Sequence, residues 1–332
     1  MELYFNRHAE FERLYNCSYL SQSEWRQLGV PNVQLGVLIL VMGVVFLLAY
    51  LPCLVAMVQA NLIRLPAYKI MFYVGIYDTI CVFLYSGACG VYIISGDVAC
   101  NGLVAKYFIA TLGMYIWMIQ SLSVVLLALN RCFEVWKIMG WTFKGKNLYV
   151  WLGLTQIYAL GWAFFCHPPL FSSHGHFWYF NPYQNLKIAA FEDDSEYKRF
   201  GQPLAAHNFT IAALLPLIYG ILMAGIKRQI ALQGPSHCSI QTSVTIQSFF
   251  ICSLVAVCCV SYGIVNMLEF PEFCGVIGTL SWLCHSGSPA IIYLCLNKTI
   301  RQGAVKLLRW RLRTKIAAQI SFLSSGAILR ET

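Results

Sequence analysis

Residues 107–136 read YFIATLGMYIWMIQSLSVVLLALNRCFEVW, with 24 uncharged residues running up to Asn130-Arg131-Cys132 and then Glu134. A helix crossing ~30 Å of hydrocarbon at ~1.5 Å per residue needs roughly 20 apolar residues, so Tyr107–Leu129 reads as a membrane span. The same reading repeats along the chain. Charge-free runs cover Leu35–Val58, Ile70–Ile94 (interrupted only by Asp78), Leu148–Cys166, Pro203–Ile226, Ser239–Leu268 and Phe273–Leu296. Lipid cannot satisfy backbone amides, so each run is expected to be helical. The fold class is therefore an all-α membrane protein, a bundle of seven transmembrane helices.

Composition agrees. Of 332 residues 58% are hydrophobic and 11% charged, and the mean hydropathy is +0.63, outside the range of ordinary soluble domains. The net charge of +9 is unevenly spread, so it speaks for membrane orientation and not for nucleic acid. The loops after spans one, three and five, with the tail, hold 16 of the 23 basic residues and 2 acids; the opposite side holds 7 basic residues and 11 acids. The positive-inside rule puts the tail in the cytoplasm and residues 1–34 outside. Residues 1–34 contain no apolar stretch resembling a signal peptide, so the first span is expected to insert itself. The expected organisation is an extracellular segment 1–34, a bundle 35–296 and a basic tail 297–332. In that tail Ile300, Ala304, Leu308, Leu312 and Ile316 recur every four residues among basic ones, the pattern of a short amphipathic helix on the inner leaflet, with membrane lipids as its partner.

Asn16-Cys17-Ser18 is a usable glycosylation sequon on the expected outer side, whereas Asn208-Phe209-Thr210 and Asn297-Lys298-Thr299 lie at a membrane edge and in the cytoplasm. The long outer connection 167–202 is aromatic at Trp178, Tyr179 and Phe180 and acidic at Glu192, Asp193, Asp194 and Glu196. It reads equally as a lid or as a solvated loop. Its acids hint at a cationic ligand, but they also serve to keep the loop wet. Cys100, in the first outer loop, can bridge to Cys166, Cys17 or Cys274, with Cys166 preferred. His174-Gly175-His176 lacks a third ligand, so no metal or other cofactor is expected. No catalytic motif is present, and nothing points to an enzyme.

Two charges in the spans draw attention. Asp78 falls near the bilayer midplane, where an unpaired carboxylate costs several kcal/mol, so it needs partners or protonation. Arg131 is expected at the inner end of the third span, either snorkelling to the headgroups or working with Asn130, Cys132 and Glu134 as a latch. The seventh span carries His285, Ser286, Ser288, Pro289 and Tyr293, and Pro289 makes a hinge there by removing a backbone hydrogen bond.

Tyr68-Lys69-Ile70-Met71 with Gly75-Ile76-Tyr77-Asp78, Leu127-Ala128-Leu129-Asn130-Arg131-Cys132, and His285-Ser286-Gly287-Ser288-Pro289 through Asn297-Lys298-Thr299-Ile300-Arg301 together resemble the nematode serpentine receptors of class T, a chemoreceptor family. The likeness runs from the first span to just past the seventh. Through it the chain distantly resembles rhodopsin-type G-protein-coupled receptors. Asn130-Arg131-Cys132 stands where those have Asp-Arg-Tyr, Asp78 resembles their second-helix aspartate, and Ser288-Pro289 with Tyr293 resembles Asn-Pro-x-x-Tyr. There are departures: no acid precedes Arg131, the tyrosine is one residue late, the sixth span lacks Cys-Trp-x-Pro, and Cys100 lies further before Arg131 than the rhodopsin-type cysteine. Glu134, one turn on, can replace the missing acid.

The functional expectation is a plasma-membrane receptor that binds a small external molecule and activates a heterotrimeric G protein; the resemblance implies a chemosensory neuron and its cilia as the location. The ligand site is expected at the outer mouth among Tyr115, Trp117, Trp178, Tyr179, Phe180, Trp282 and His285. The rival readings are a small-solute transporter or channel, disfavoured because the chain shows no paired broken helices in two matching halves, and a non-signalling scaffold for other receptors.

Overall fold

A computed structural model describes residues 1–184, 186, 195–233, 239–267, 271 and 273–309. Glu192, Asp193, Asp194, Leu312 and Ile316, which carried expectations above, lie outside the described residues. Three short helices open the chain: α1 (Glu2–Asn6), α2 (His8–Leu14) and α3 (Gln22–Gln27). The long helices follow as α4 (Val33–Gln59), α5 (Pro66–Ser95), α6 (Leu103–Trp136) and α7 (Lys146–Phe165). A hairpin of β1 (Leu170–Ser172) and β2 (Phe177–Tyr179) comes next, then α8 (Ser195–Gln233), α9 (Ser239–Met267) and α10 (Phe273–Leu296). Residues 298–309 form one further helix, α11.

Among the described residues six helices, α4 to α9, are long and apolar enough to cross a membrane. The seventh run forms α10 with the expected bounds, but it is not one of the six. Its middle holds His285, Ser286, Ser288 and Pro289, which lower its hydropathy, and it packs instead against α4, α5 and α9. The third span is the most enclosed, with 72% of its apolar window buried. Such a helix can carry polar residues on all sides, because its neighbours supply the partners that lipid cannot.

The all-α expectation needs one correction. The connection after α7 folds back as an antiparallel hairpin with Leu170 opposite Tyr179 and Ser172 opposite Phe177. Its turn uses His176 and Gly175 at positive φ. The hairpin sinks into the end of the bundle, with Phe171 and Phe177 fully buried. It seats on two glycines of α10: a Cβ at Gly275 would collide with the Gly175 carbonyl, and one at Gly278 with the Phe177 ring. The Thr279 hydroxyl donates to the His176 carbonyl at 2.6 Å, and a His174 ring nitrogen bonds the Leu28 carbonyl at 2.7 Å.

The N-terminal segment covers this plug. Ser21 and Glu24 form a reciprocal capping box at the start of α3. The Ser21 hydroxyl and amide hold the Glu24 carboxyl below its usual range. Trp25, fully buried, donates its indole N–H to the Cys17 carbonyl at 2.9 Å. Tyr197 and Tyr183 donate to the carbonyls of Leu14, at 2.6 Å, and Asn16, at 3.0 Å. Gly29 lies so close to the Gly96 carbonyl that no side chain fits there.

Cys17 and Cys100 are disulfide-bonded, with Cα atoms 5.4 Å apart. This corrects the preferred pairing of Cys100 with Cys166. The turn between α5 and α6 is pinned by buried Lys106, which bonds Asp97 at 3.0 Å and the Val98 carbonyl at 3.0 Å, and Cys100 thereby meets the N-terminal segment. Cys166 stands at the end of α7, a half-buried free thiol.

Peptide mapping without reductant is expected to recover Cys17 linked to Cys100, unchanged by Cys166→Ser; a Cys100–Cys166 peptide would refute the arrangement. His167 stacks on Phe200 with ring centroids 3.9 Å apart, and burial, reinforced by Arg7, holds its imidazole below the usual 6.5. The unfolded state therefore binds the proton more readily, and the contribution of neutral His167 is intact above pH 6.5 and lost as pH falls through its lower folded value. Amide protection factors in residues 8–28, corrected for the intrinsic pH dependence of exchange, should fall on acidification below pH 6.5, and His167→Gln should remove that fall.

Candidate functional site

Among the described residues, polar assemblies around Asp78 and Arg131 and an apolar cavity mark the bundle interior. Asp78 lies 17 residues from the Ser95 end of α5, and Gln120 lies 17 residues from the Leu103 start of α6. At ~1.5 Å per residue both sit ~25 Å below the hairpin end, at one level. Both are fully buried. Asp78 accepts hydrogen bonds from the Tyr50 hydroxyl on α4 and from Gln120 Nε2, the latter at 2.6 Å. Gln120 Nε2 also reaches Ser286 Oγ of α10 at 3.4 Å. The ring of Tyr293 meets that of Tyr50 edge-on at 6.3 Å. One buried carboxyl group thus joins α4, α5, α6 and α10, as a polar group out of water requires.

The chain of contacts continues toward the hairpin. Ser286 Oγ and Trp282 Nε1 both donate to Cys81 Sγ, at 3.4 and 3.1 Å. Trp282 stacks on Tyr85 at 5.6 Å and leans on Trp117 at 5.1 Å and Tyr262 at 4.9 Å. These residues, with Trp178 of the hairpin, wall a cavity of about 50 Å³. Trp117 is itself fixed by donating to Asn208 Oδ1 at 3.0 Å. That bond and its burial take Asn208 out of reach as a glycosylation site.

Of the residues expected at a ligand site, Trp117, Trp178 and Trp282 come together in the cavity wall. Tyr179 and Phe180 are buried near it without lining it. His285 lies behind the wall, edge-on to Trp117 at 5.2 Å, with neither ring nitrogen hydrogen-bonded. Tyr115 is elsewhere: it donates to Gln156 of α7, whose amide also holds Tyr73 and Tyr77. A tyrosine two residues from Trp117 on a helix points about 200° away, and the sequence alone did not say which of the two faced the axis.

At the other end of the bundle Arg131 is not at a helix terminus. Helix α6 continues to Trp136, and Arg131 is buried, 6% exposed, which excludes snorkelling. Its guanidinium pairs with Glu134 and donates to Asn130 Oδ1 at 3.2 Å. The arginine is thus held from within its own helix, and Glu134 fills the place of the absent preceding acid. Cys132 is buried beside it as a free thiol. The end of α6 is tied to α8, where the Trp136 indole donates to the Ile221 carbonyl at 3.0 Å and Gln229 donates to the Val135 carbonyl.

A second clasp lies at the same end. Asn297 Nδ2 donates to Tyr68 of α5 at 2.7 Å and to Gln247 of α9 at 3.2 Å, and its Oδ1 caps α11 through the Ile300 amide at 3.1 Å. Ile300 and Ala304 pack inward while Arg301 and Leu308 stay exposed. Ser288 is half-buried and outside the Asp78 network, and Pro289 is buried within α10. The serine that joins the Asp78 network is Ser286, two residues earlier. Tyr50, Gln120, Cys81 and Gln247 escaped the sequence reading, and Tyr68 entered it only within a family motif. Gln120, a lone amide in the middle of an apolar run, was the available signal.

Residues 1–316 match the family of serpentine type 7TM GPCR chemoreceptors Srt. A relative in Caenorhabditis elegans, serpentine receptor class T-55, is 24% identical over 299 residues, covering 89% of this chain and 80% of the relative. With six helices able to cross a membrane and a family match over nearly its whole length, the chain belongs to the Srt family of serpentine chemoreceptors and is a multi-pass membrane protein.

Proposed function

We propose that this protein is a chemosensory receptor of the plasma membrane, in the cilia of sensory neurons, that binds a small external molecule beneath the hairpin and activates a heterotrimeric G protein at the Arg131 end. In this reading α10 is the seventh span, the N-terminal segment with its Asn16 glycan faces outward, and α11 with the basic tail lies on the inner leaflet. The concentration of basic residues in the loops at the Arg131 end supports that orientation.

The observation that carries the reading is that Trp282 and Cys81 belong at once to the cavity wall and to the hydrogen-bonded chain ending on Asp78. A ligand that displaces Trp282 breaks its bond to Cys81 and shifts α10 against α5 and α6. The shift reaches Asn297 at the far end of α10, whose clasp on Tyr68 and Gln247 holds α5, α9 and α10 together. Opening that clasp uncovers Arg131, with Asn130 and Glu134 as its resting partners. A ligand drives this only by binding the open arrangement more tightly than the closed one. The work of the receptor is binding and conformational change, with no chemical step and no cofactor.

Nucleotide exchange on Gα subunits in membranes containing the receptor, measured across a panel of small odorants, tests the reading. An active odorant should stimulate exchange in the wild type. Arg131→Ala should abolish the stimulation, and Gln120→Leu should reduce it about tenfold, the scale of an ordinary allosteric coupling, with surface expression retained. Background exchange throughout, from well-inserted protein, would overturn the proposal. Odorant-dependent solute flux without exchange would favour a transporter.

A further inference from the structure

The cavity beneath the hairpin is closed toward the N-terminal side. Trp178 and the rest of the buried hairpin roof it, and the N-terminal segment lies over the roof, fastened by Cys17–Cys100. Among the described residues its wall contains no Asp, Glu, Lys, Arg or His. Rings, aliphatic side chains and the sulfurs of Cys81 and Met114 form it; the indole N–H groups of Trp117 and Trp282 are committed to Asn208 and Cys81, and that of Trp178 is a single neutral donor without a hydrogen bond. A charged molecule entering here would lose its hydration and gain no counter-ion. The ring faces are also occupied, because Trp282 is packed by Tyr85, Trp117 and Tyr262, which leaves no open aromatic box for a cation.

The side wall is different. Leu84 of α5 with Ile109 and Gly113 of α6 line the cavity, yet each is only half-buried. Leu84 is 11 residues from the Ser95 end of α5, and Gly113 is 10 residues from the Leu103 start of α6, so both lie ~15 Å down the bundle, at hydrocarbon depth. A Cβ at Gly113 would meet nothing within 4 Å, and the same holds at Gly87, one turn from Leu84 on the facing helix. Phe83 and Leu112 beside them are exposed apolar residues. At the height of the cavity the lining from Leu84, Ile109 and Gly113 is therefore apolar and only half-covered.

We propose that the cavity takes an uncharged, apolar molecule of a few heavy atoms, and that this molecule enters from the bilayer through the α5–α6 seam at Gly113 and Gly87, not past the hairpin. The proposal rests on the receptor reading for its biological purpose, but binding and entry are measurable without signalling. At about 50 Å³ the space exceeds the ~10–15 Å³ that one water needs and falls short of the ~150 Å³ that holds benzene. Partition into lipid would concentrate such a molecule at the doorway before it binds.

The test uses the full-length chain in phospholipid nanodiscs, with tryptophan fluorescence quenched by 1-bromopropane, or by 3-bromopropylammonium as its charged counterpart. The expected result is saturable quenching by 1-bromopropane above linear partition into the lipid, lost when Trp117, Trp178 and Trp282, the three tryptophans of the wall, are all replaced by phenylalanine, and no saturable component from the ammonium compound. In stopped flow, Gly113→Met should slow the saturable phase about tenfold, which is ~1.4 kcal/mol of added barrier, and Gly87→Met should also slow it. Gly153→Met, on α7 in equally open space but away from the cavity, should not. Breaking the roof fastening with Cys17→Ser and Cys100→Ser should leave the rate unchanged. Absence of a saturable component, saturable quenching by the ammonium compound, or entry accelerated by loss of the disulfide and indifferent to Gly113→Met would each overturn the proposal. Saturable quenching without G-protein exchange would leave the binding inference standing and remove the receptor reading.

Discussion

Everything in the bundle interior is arranged around one carboxylate that cannot be left alone. Asp78 is fully buried with no cation among the described residues within reach, and its two oxygens are served by Tyr50 and Gln120 from neighbouring helices. Removing either donor would leave a buried acceptor short of a partner, at a cost of ~1–3 kcal/mol. The requirement fixes the relative heights of α4, α5 and α6, and through Ser286 it fixes α10. That helix could not satisfy the apolar demand of lipid on its own, since His285, Ser286 and Ser288 lie in its centre. Its placement among α4, α5 and α9 and its polar middle are two sides of one constraint.

The same economy appears at both ends. At the hairpin end, glycines permit the close approach of backbone to backbone, and a disulfide, a capping box and buried aromatic side chains fasten the N-terminal segment over the plug. At the Arg131 end, side-chain clasps do this work: Asn297 between Tyr68 and Gln247, and Trp136 on Ile221. A covalently secured end and an end held by a few neutral hydrogen bonds differ in what they can release. Individual neutral bonds contribute ~0.5–1.5 kcal/mol, which a ligand of modest differential affinity can offset.

The helices were legible because lipid imposes a length and an apolarity that few other constraints imitate. Phe273–Leu296 was read to its final bounds, and Asp78 stood out as the single acid in a span. The rest depended on which face of a helix looked inward. Nothing in the run around Tyr115 and Trp117 says that the tryptophan lines the cavity while the tyrosine meets Gln156. Arg131 was placed at a helix end because charge usually marks one, but burial by neighbouring helices let α6 continue to Trp136. The hairpin was hidden because Leu170–Ser172 and Phe177–Tyr179 are too short for alternation to register, and Cys17 could not be told from Cys166 without knowing that the N-terminal segment folds back.

The central claim is that displacement of Trp282 reaches the Arg131 end through the Asp78 network. The most direct measurement is the distance distribution between genetically encoded spin labels at the exposed positions Ile138, just beyond α6, and Ile246, on α9, in nanodiscs. Trp282→Ala is expected to broaden and lengthen that distribution relative to the wild type, and adding Gln120→Leu is expected to cancel the change. An unchanged distribution in Trp282→Ala, or a change that persists when Gln120 is removed, would contradict it.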